Sequence, residues 1–321
     1  MLHEKPIILV VEDERTTLQL MGEMLEKLEY QPILAENGIE ALEALEQKLP
    51  DLVISDVLMP KMDGITLCRI IKGNPHTRLI PLVLITGLGS SDDRVRGIEA
   101  GADDFISKPF QLAELTARLG SLLKLKQFTD ELINAEEVIF SLALAVDAKD
   151  PYIHGHCQRL AKISVEIGKQ LHLSDEELQA LHRGGILHDI GKIGIPESIL
   201  FKTGPLTAEE IDVMSNHPEK GEQICKPLRT LANALPIIRH HHEHIDGSGY
   251  PDKLKGEAIP LGARIVAVVD FFDALITDRP YRKALSHEEA LNMLHTAVMN
   301  GHLDAQIVDI ITDLVREMGE K

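Results

Sequence analysis

His188-Asp189, followed by Ile190-Gly191-Lys192, and far downstream His241-His242, opening a stretch that runs through Gly249-Tyr250-Pro251, set imidazoles and a carboxylate side by side. Ten of the 15 histidines lie between His154 and His244, a concentration that suits a metal site. Adjacent His and Asp on a helix point about 100° apart, so both reach one metal cluster only if the helix end faces it. Asp189 can bridge two ions; an imidazole cannot. With His156 ahead of the pair, His217 between the motifs and Asp270 after them, there are seven nitrogen or oxygen ligands and no thiolate. That set excludes a Cys-type structural zinc site. If two ions are six-coordinate, His156, His188, Asp189 and Asp270 serve one, and Asp189, His217, His241 and His242 serve the other. A shared hydroxide fills a fifth position on each and leaves one open position per ion for two oxygens of a phosphate, as phosphodiester hydrolysis requires. Two divalent ions less two carboxylates and a hydroxide leave about one positive charge, which attracts that anion.

A second constellation lies near the start of the chain. Glu12, Asp13, Asp56, Thr86 and Lys108 each close a short apolar run. Three carboxylates brought together repel unless a hard cation joins them, and oxygen ligands suit Mg²⁺. Asp56 can then act as a nucleophile toward a phosphoryl group, with Thr86 and Lys108 meeting the developing charge. Lys108-Pro109 is a candidate cis peptide.

The elements that must position these residues are legible as two patterns. Up to about residue 110, Ile7 to Val11, Ile33 to Ala35, Leu52 to Ser55, Leu82 to Ile85 and Phe105 to Ser107 read as strands. They alternate with helical stretches at Thr16 to Leu28, Gly38 to Lys48, Gly64 to Lys72 and Ser91 to Ala100. Such alternation predicts a five-stranded parallel sheet, doubly wound in the flavodoxin manner, with ligands outside the carboxyl ends of the strands. From Gln111 to Lys149 a single long helix is predicted, its apolar positions stepping mostly by three and four through Leu112, Leu115, Leu119, Leu122, Leu125, Phe128, Leu132, Ala135, Ile139, Leu142 and Val146. This is a candidate coiled coil and homodimer contact, against the alternative of two helices broken near Gly120 to Lys126. Beyond Asp150 the chain reads as all-α, with capping boxes at Ser174-Asp-Glu-Glu177, Thr207-Ala-Glu-Glu210 and Ser286-His-Glu-Glu289. Loops are expected at Ile193 to Pro205 and at Asp246 to Pro260.

A length of 321 residues favours two domains, and a net charge of −18 argues against a broad electrostatic footprint on nucleic acid or anionic lipid. After residue 124 the chain carries 20 basic and 31 acidic side chains, which sets aside a DNA-binding output domain. No apolar run approaches the length of a membrane helix, no leader is expected at Met1 to Asp13, and Cys68, Cys157 and Cys225 fit no disulfide framework. A cytoplasmic location is expected.

On these motifs, residues 1 to about 124 resemble a response-regulator receiver domain. The resemblance implies Mg²⁺ at Glu12 and Asp13, phosphate transfer from a sensor histidine kinase to Asp56, and switch roles for Thr86, Phe105 and Lys108; Phe105 lacks the hydroxyl of the Tyr often found there. Residues from about 130 to 321, overlapping a linking helix at 111–149, resemble the HD-GYP domains, metal-dependent phosphodiesterases of cyclic di-GMP. That resemblance carries over the seven metal ligands, two divalent ions such as Fe or Mn, and substrate-phosphate contacts at Lys192, Arg279 and Arg282. It also identifies Gly249-Tyr250-Pro251 as the loop that gives the family its name. Three-metal members carry a Glu where this chain has Tyr152, so two ions are expected. Asp189 and Lys192 are the candidate catalytic residues, and pGpG and GMP the candidate products. Tyr250 reads either as a packed ring or as a contact to guanine. The rival function is a phosphorylation-dependent module that binds nucleotide or a diguanylate cyclase with little turnover.

Overall fold

The computed structural model describes residues 5–87, 91–148, 155–202, 204–278 and 282–319. Tyr152 and Arg279 lie outside the described residues. The chain divides into two compact units, Met1–Ile133 and Asn134–Lys321.

In the first unit, strands β1 (Ile7–Val11), β2 (Gln31–Ala35), β3 (Leu52–Asp56), β4 (Leu82–Thr86) and β5 (Asp104–Ser107) alternate with helices α1 (Arg15–Lys27), α2 (Gly38–Gln47), α3 (Gly64–Gly73) and α4 (Ser91–Glu99). The described strands form one parallel sheet in the order β2-β1-β3-β4-β5. Successive side chains of a strand point to opposite faces, so an apolar run covered on both sides feeds two cores at once. Ile8, Val10, Ile54, Val83 and Ile106 pack with Leu18 and Leu25 of α1. Leu9, Val11, Val53, Leu84 and Phe105 pack with Leu45 of α2 and Ile65, Leu67 and Ile71 of α3. Strand β2 starts two residues earlier than expected and includes Pro32, which an edge strand tolerates because no neighbour needs its missing N–H. Because β1 is flanked by β2 and β3, the chain reverses its winding there, and a crevice opens at the carboxyl ends of β1 and β3.

Helix α5 (Leu112–Ala148) is one element, without a break at Gly120 to Lys126. Leu115 and Leu119 are fully buried in the α1 side of the sheet core.

The second unit contains helices α6 (His156–Gln170), α7 (Asp175–Leu187), α8 (Glu197–Leu200), α9 (Ala208–Met214), α10 (His217–Cys225), α11 (Leu235–His240), α12 (Leu261–Ile276), α13 (His287–Met299) and α14 (Ala305–Gly319). All three expected capping boxes are formed, at the starts of α7, α9 and α13. Helix α12 is buried on nearly every side: Ile265, Val266, Val268, Val269, Phe272 and Leu275 meet α6, α7, α13 and α14 in one core. A second core joins Ala143 of α5, Ala161 of α6, Ile186 and Leu187 of α7, Cys225 of α10 and Ile238 of α11. No helix among the described residues is long and apolar enough to cross a membrane.

Phe272 is 2% exposed and lies two residues beyond Asp270 on α12. Phe272→Ala is expected to destabilise the helical unit by about 3–5 kcal/mol through loss of burial and the cavity left behind. Urea unfolding followed by circular dichroism would measure it; a loss under 1 kcal/mol, on the order of a surface substitution, would mean that α12 is not the central packing element.

Candidate functional site

At the carboxyl edge of the sheet, Glu12 and Asp13 follow β1 and Asp56 closes β3. Their oxygens gather within 4.8 Å of one another. The Lys108 ammonium, just past β5, donates to Glu12 at 2.7 Å and pairs with Asp56. Burial pushes the Glu12 carboxyl up. Burial alone would lower Lys108, but its bonds to Asp56 and Glu12 raise it, so the ammonium keeps its charge. Thr86 is buried at the end of β4, and its carbonyl accepts from the Lys108 backbone N–H at 2.7 Å. Phe105 is turned inward with the Arg94 guanidinium 5.7 Å from its ring centre. The Lys108-Pro109 peptide is cis. The five residues named from the sequence therefore meet at one sheet edge.

In the helical unit, His188 caps the C-terminus of α7 and Asp189 leaves the helix with φ −99° and ψ 4°. The helix end faces the cluster, which lets neighbouring residues serve one site. A 3-10 turn, Ile190–Gly194, then packs against α10 so closely that a Cβ on Gly191 would lie 1.9 Å from the His217 carbonyl oxygen. That contact sets His217, the first residue of α10, opposite Asp189 at 3.1 Å. His241 and His242 follow α11 directly.

Two groups of ligand atoms result, each within 4.8 Å of one another: Asp189, His217, His241 and His242, and His156, His188 and Asp189. Ligands about 2.1 Å from one ion span at most about 4.2 Å, so both groups are close to the spacing a single ion imposes. Asp189 belongs to both. Asp270 comes within 3.2 Å of His156 Nε2 but falls outside the tight grouping.

The polar atoms of the cluster have partners on one side only. Nδ1 of His188 donates to the Gly185 carbonyl at 2.9 Å, Nδ1 of His217 to Met214 at 2.8 Å and Nδ1 of His241 to Ile238 at 2.8 Å. Those tautomers leave each Nε2 as a lone pair directed into the cluster. Nε2 of His217 and Nε2 of His241 face each other at 3.3 Å, and buried His188 Nε2 and Asp189 Oδ1 have no hydrogen-bond partner. Buried polar atoms left this way cost about 1–3 kcal/mol each unless a cation takes them up. Burial and the neighbouring imidazoles hold His241 well below the ordinary histidine range; burial and His217 push His242 down to about 3. Both remain neutral donors. Burial would raise Asp189, but Lys192 and His188 overcome it and hold the carboxyl well below its usual range. The donor set fits a pair of divalent ions.

Lys192, on the 3-10 turn, pairs with Asp189; burial alone would lower its pKa, and Asp189 raises it instead. Beside the pair lies a small cavity of about 50 Å³ lined by Ala143, Val146, Asp147, Cys157, Leu200 and Phe201. Tyr250 donates its N–H to the His242 carbonyl at 3.1 Å, and its ring lies 4.9 Å from the His242 ring with planes 31° apart. The Tyr250 ring thus packs on the candidate ligand His242. A Cβ on Gly249 would lie 2.3 Å from the His244 nitrogen, so only glycine allows the loop to close on the ligand segment. Buried Glu243 pins the far side, accepting from the N–H of Asp252 at 2.7 Å and of Leu254 at 3.1 Å. The Tyr250-Pro251 peptide is cis. Arg282 donates to the carbonyls of Ala274 at 2.6 Å and Leu275 at 3.2 Å, near the end of α12.

Three groups escaped the sequence analysis. Asp273 is buried and accepts from His156 Nδ1 at 2.6 Å and from Arg159 Nε at 2.9 Å. Its one available signal was a spacing of three from Asp270, which puts both carboxylates on one face of a helix. Asp270 and Asp273 draw His156 up to about 10 against the lowering effect of burial. Glu243 and Asp147 carried no periodic or motif signal.

Residues 8–120 match the response regulator receiver domain family, and residues 141–307 match the HD domain family. The chain is 35% identical to the cyclic di-GMP phosphodiesterase response regulator RpfG of Xanthomonas campestris pv. campestris, over 95% of this chain and 86% of that one. It is 35% identical to a probable cyclic di-GMP phosphodiesterase of Vibrio cholerae, over 94% of this chain and 76% of that one. It is 32% identical to a cyclic di-GMP phosphodiesterase of Thermotoga maritima, over 97% and 91%.

The loop geometry predicts that Gly249→Ala displaces the backbone of residues 242–244 and weakens metal uptake by roughly tenfold or more, whereas Tyr250→Phe keeps the ring on His242 and retains it. Metal content after dialysis against a graded chelator series distinguishes the two. Equal retention by both variants would show that the loop does not hold His242.

Proposed function

Because the chain belongs to the response regulators that join a receiver domain to an HD domain, we propose that it hydrolyses cyclic di-GMP under the control of phosphorylation at Asp56. The observation that carries this reading is the sharing of Asp189 between two groups of imidazoles, the arrangement two adjacent cations need for one phosphodiester. His156, His188, Asp189 and Asp270 would hold one ion, and Asp189, His217, His241 and His242 the other, with Fe or Mn the ions best suited to a mixed imidazole and carboxylate set. Such ions polarise phosphate oxygens and lower the pKa of water.

The chain's own residues do the rest. Lys192, held charged by Asp189, offers an ammonium to the phosphate and to the ribose oxygen that departs. The Gly249-Tyr250-Pro251 loop fixes His242, and Glu243 fixes the loop. Arg279 and Arg282 are assigned to the dinucleotide's remaining phosphate. Water adds across one 3′–5′ phosphodiester to give linear pGpG, and across the second to give GMP. An acidic protein holds an anion by concentrating positive charge locally.

In the receiver domain Glu12 and Asp13 would hold Mg²⁺, and Asp56 would take a phosphoryl group from a sensor histidine kinase. Lys108, now paired with Glu12 and Asp56, is the group whose partners change when Asp56 is modified, and Thr86 and Phe105 respond. A second copy of the chain would pack on exposed Leu125, Phe128 and Leu132 of α5, since the apolar positions on either side are already spent in the two cores. A cytoplasmic location follows from kinase and dinucleotide alike.

Purified protein loaded with Mn²⁺ is expected to convert cyclic di-GMP to pGpG or GMP, and Asp189→Ala to lower turnover by on the order of 100-fold or more. Binding of the dinucleotide without turnover by the metal-loaded protein would instead favour an interaction module. Separately, acetyl phosphate is expected to label the protein and not Asp56→Asn; label retained in that variant would move the phosphoacceptor elsewhere.

A further inference from the structure

The two metal positions do not have equal support. At the position of His217, His241 and His242, the Nδ1 partners of His217 and His241 are neutral backbone carbonyls, and the carboxylate is the shared Asp189. At the other position, His156 donates its Nδ1 proton to a carboxylate, Asp273, at 2.6 Å. Asp273 is 1% exposed and is gripped from its other side by the Arg159 fork, Nε at 2.9 Å and an NH₂ nitrogen at 2.9 Å, so it cannot turn away. The same position has Asp270 on its own, with an oxygen 3.2 Å from His156 Nε2. With its Nδ1 proton committed to Asp273, His156 aims Nε2 at the Asp270 oxygen 3.2 Å away, and a cation that displaces the Nε2 proton would find an imidazole nitrogen and a carboxylate oxygen already facing it.

We infer that Asp273 is a positioning residue that makes the two metal positions unequal, so that the position of His156, His188 and Asp270 fills first and the position of His217, His241 and His242 fills second. The reasoning rests on the two-ion reading proposed above and adds an order to it. A hydrogen bond to a carboxylate is roughly twice as strong as one to a carbonyl, fixes the ring, and makes its free nitrogen a better donor. The first position has a carboxylate of its own beyond the shared one, and a divalent ion gains most where negative charge is densest. Asp273 is not placed to reach the ion itself: its two oxygens are occupied by His156 and Arg159, and it meets the His156 nitrogen opposite the one that faces Asp270.

The test is calorimetric titration of the metal-free full-length chain with Mn²⁺, in excess Mg²⁺ to occupy the receiver carboxylates, since Mg²⁺ prefers oxygen ligands to imidazole. Wild type is expected to take up two Mn²⁺ in a tight and a weaker step. Asp273→Asn, which keeps the shape and removes the charge, is expected to weaken the tight step by about 10–100-fold and leave the weaker step within about threefold. Asp273→Glu is expected to restore part of the loss, which a purely structural role would not do. His242→Asn, a variant that does not touch Asp273, is expected to abolish the weaker step and spare the tight one. An unaltered tight step in Asp273→Asn, an equal fall of both steps, or loss of the tight step in His242→Asn overturns the assignment while the two-ion centre stands. Uptake of one Mn²⁺ by wild type overturns both.

Discussion

Lone pairs pointed at one another are the constraint on which the helical unit depends. His217 and His241 present Nε2 atoms 3.3 Å apart, and the unpartnered Nε2 of His188 lies in the same cluster, each ring fixed by a backbone carbonyl three residues earlier. Left to relax, such rings would rotate toward water. They cannot, because the segments carrying them are locked by contacts closer than a side chain would permit. The turn after Asp189 has only a hydrogen where a Cβ would strike the His217 carbonyl, and Gly249 has only a hydrogen against the segment of His242 and His244. The fold thus stores an unfavourable arrangement that a cation relieves, and the buried core around α12 provides the stability against which that cost is set.

The receiver site answers the opposite electrostatic problem by the opposite means. Three carboxylates crowd one sheet edge, and the group that quiets them is a protein cation, Lys108, reaching over from the end of β5. The helical site instead gathers imidazoles around one shared carboxylate, a donor set suited to a cation, which in turn would attract an anion. A net charge of −18 is compatible with both because neither depends on the overall field. Charges a Debye length of about 8 Å away are largely screened when exposed, whereas these groups meet within hydrogen-bonding distance.

Much of this was legible in the sequence because it is written in periods and pairs. Alternation of short apolar runs with amphipathic stretches was enough for the sheet, and the topology then fixed which residues stand at its carboxyl edge. Capping boxes at Ser174, Thr207 and Ser286 are local and were found where expected. The His188-Asp189 and His241-His242 pairs pointed to the cluster because each sets two metal-ligating side chains next to one another, and the structure brings them together. What the sequence could not express is support at long range. The bond from His156 to Asp273 joins residues 117 positions apart. Glu243 acts on backbone N–H groups, which have no residue identity to read. The packing of the Tyr250 ring against His242, eight positions away, likewise had no pattern to announce it.

The long helix shows where periodicity misleads. Its apolar positions step almost evenly, as a coiled-coil seam does, yet the structure spends them in three different ways. Leu115 and Leu119 are buried in the sheet core, Ile139, Phe140 and Ala143 pack in a core of the helical unit, and Leu125, Phe128 and Leu132 are exposed between them. A period identifies a face of a helix and not what covers it. Leu115 and Leu119 belong to one core and Ile139, Phe140 and Ala143 to another, so the helix has no single seam along its length. Ala143 stands in the same core as Ala161 of α6 and Leu187 of α7, the helices whose ends carry His156 and His188. A change of volume at Ala143 therefore bears first on the helix ends that carry His156 and His188, because a close-packed core transmits a small displacement instead of dissipating it.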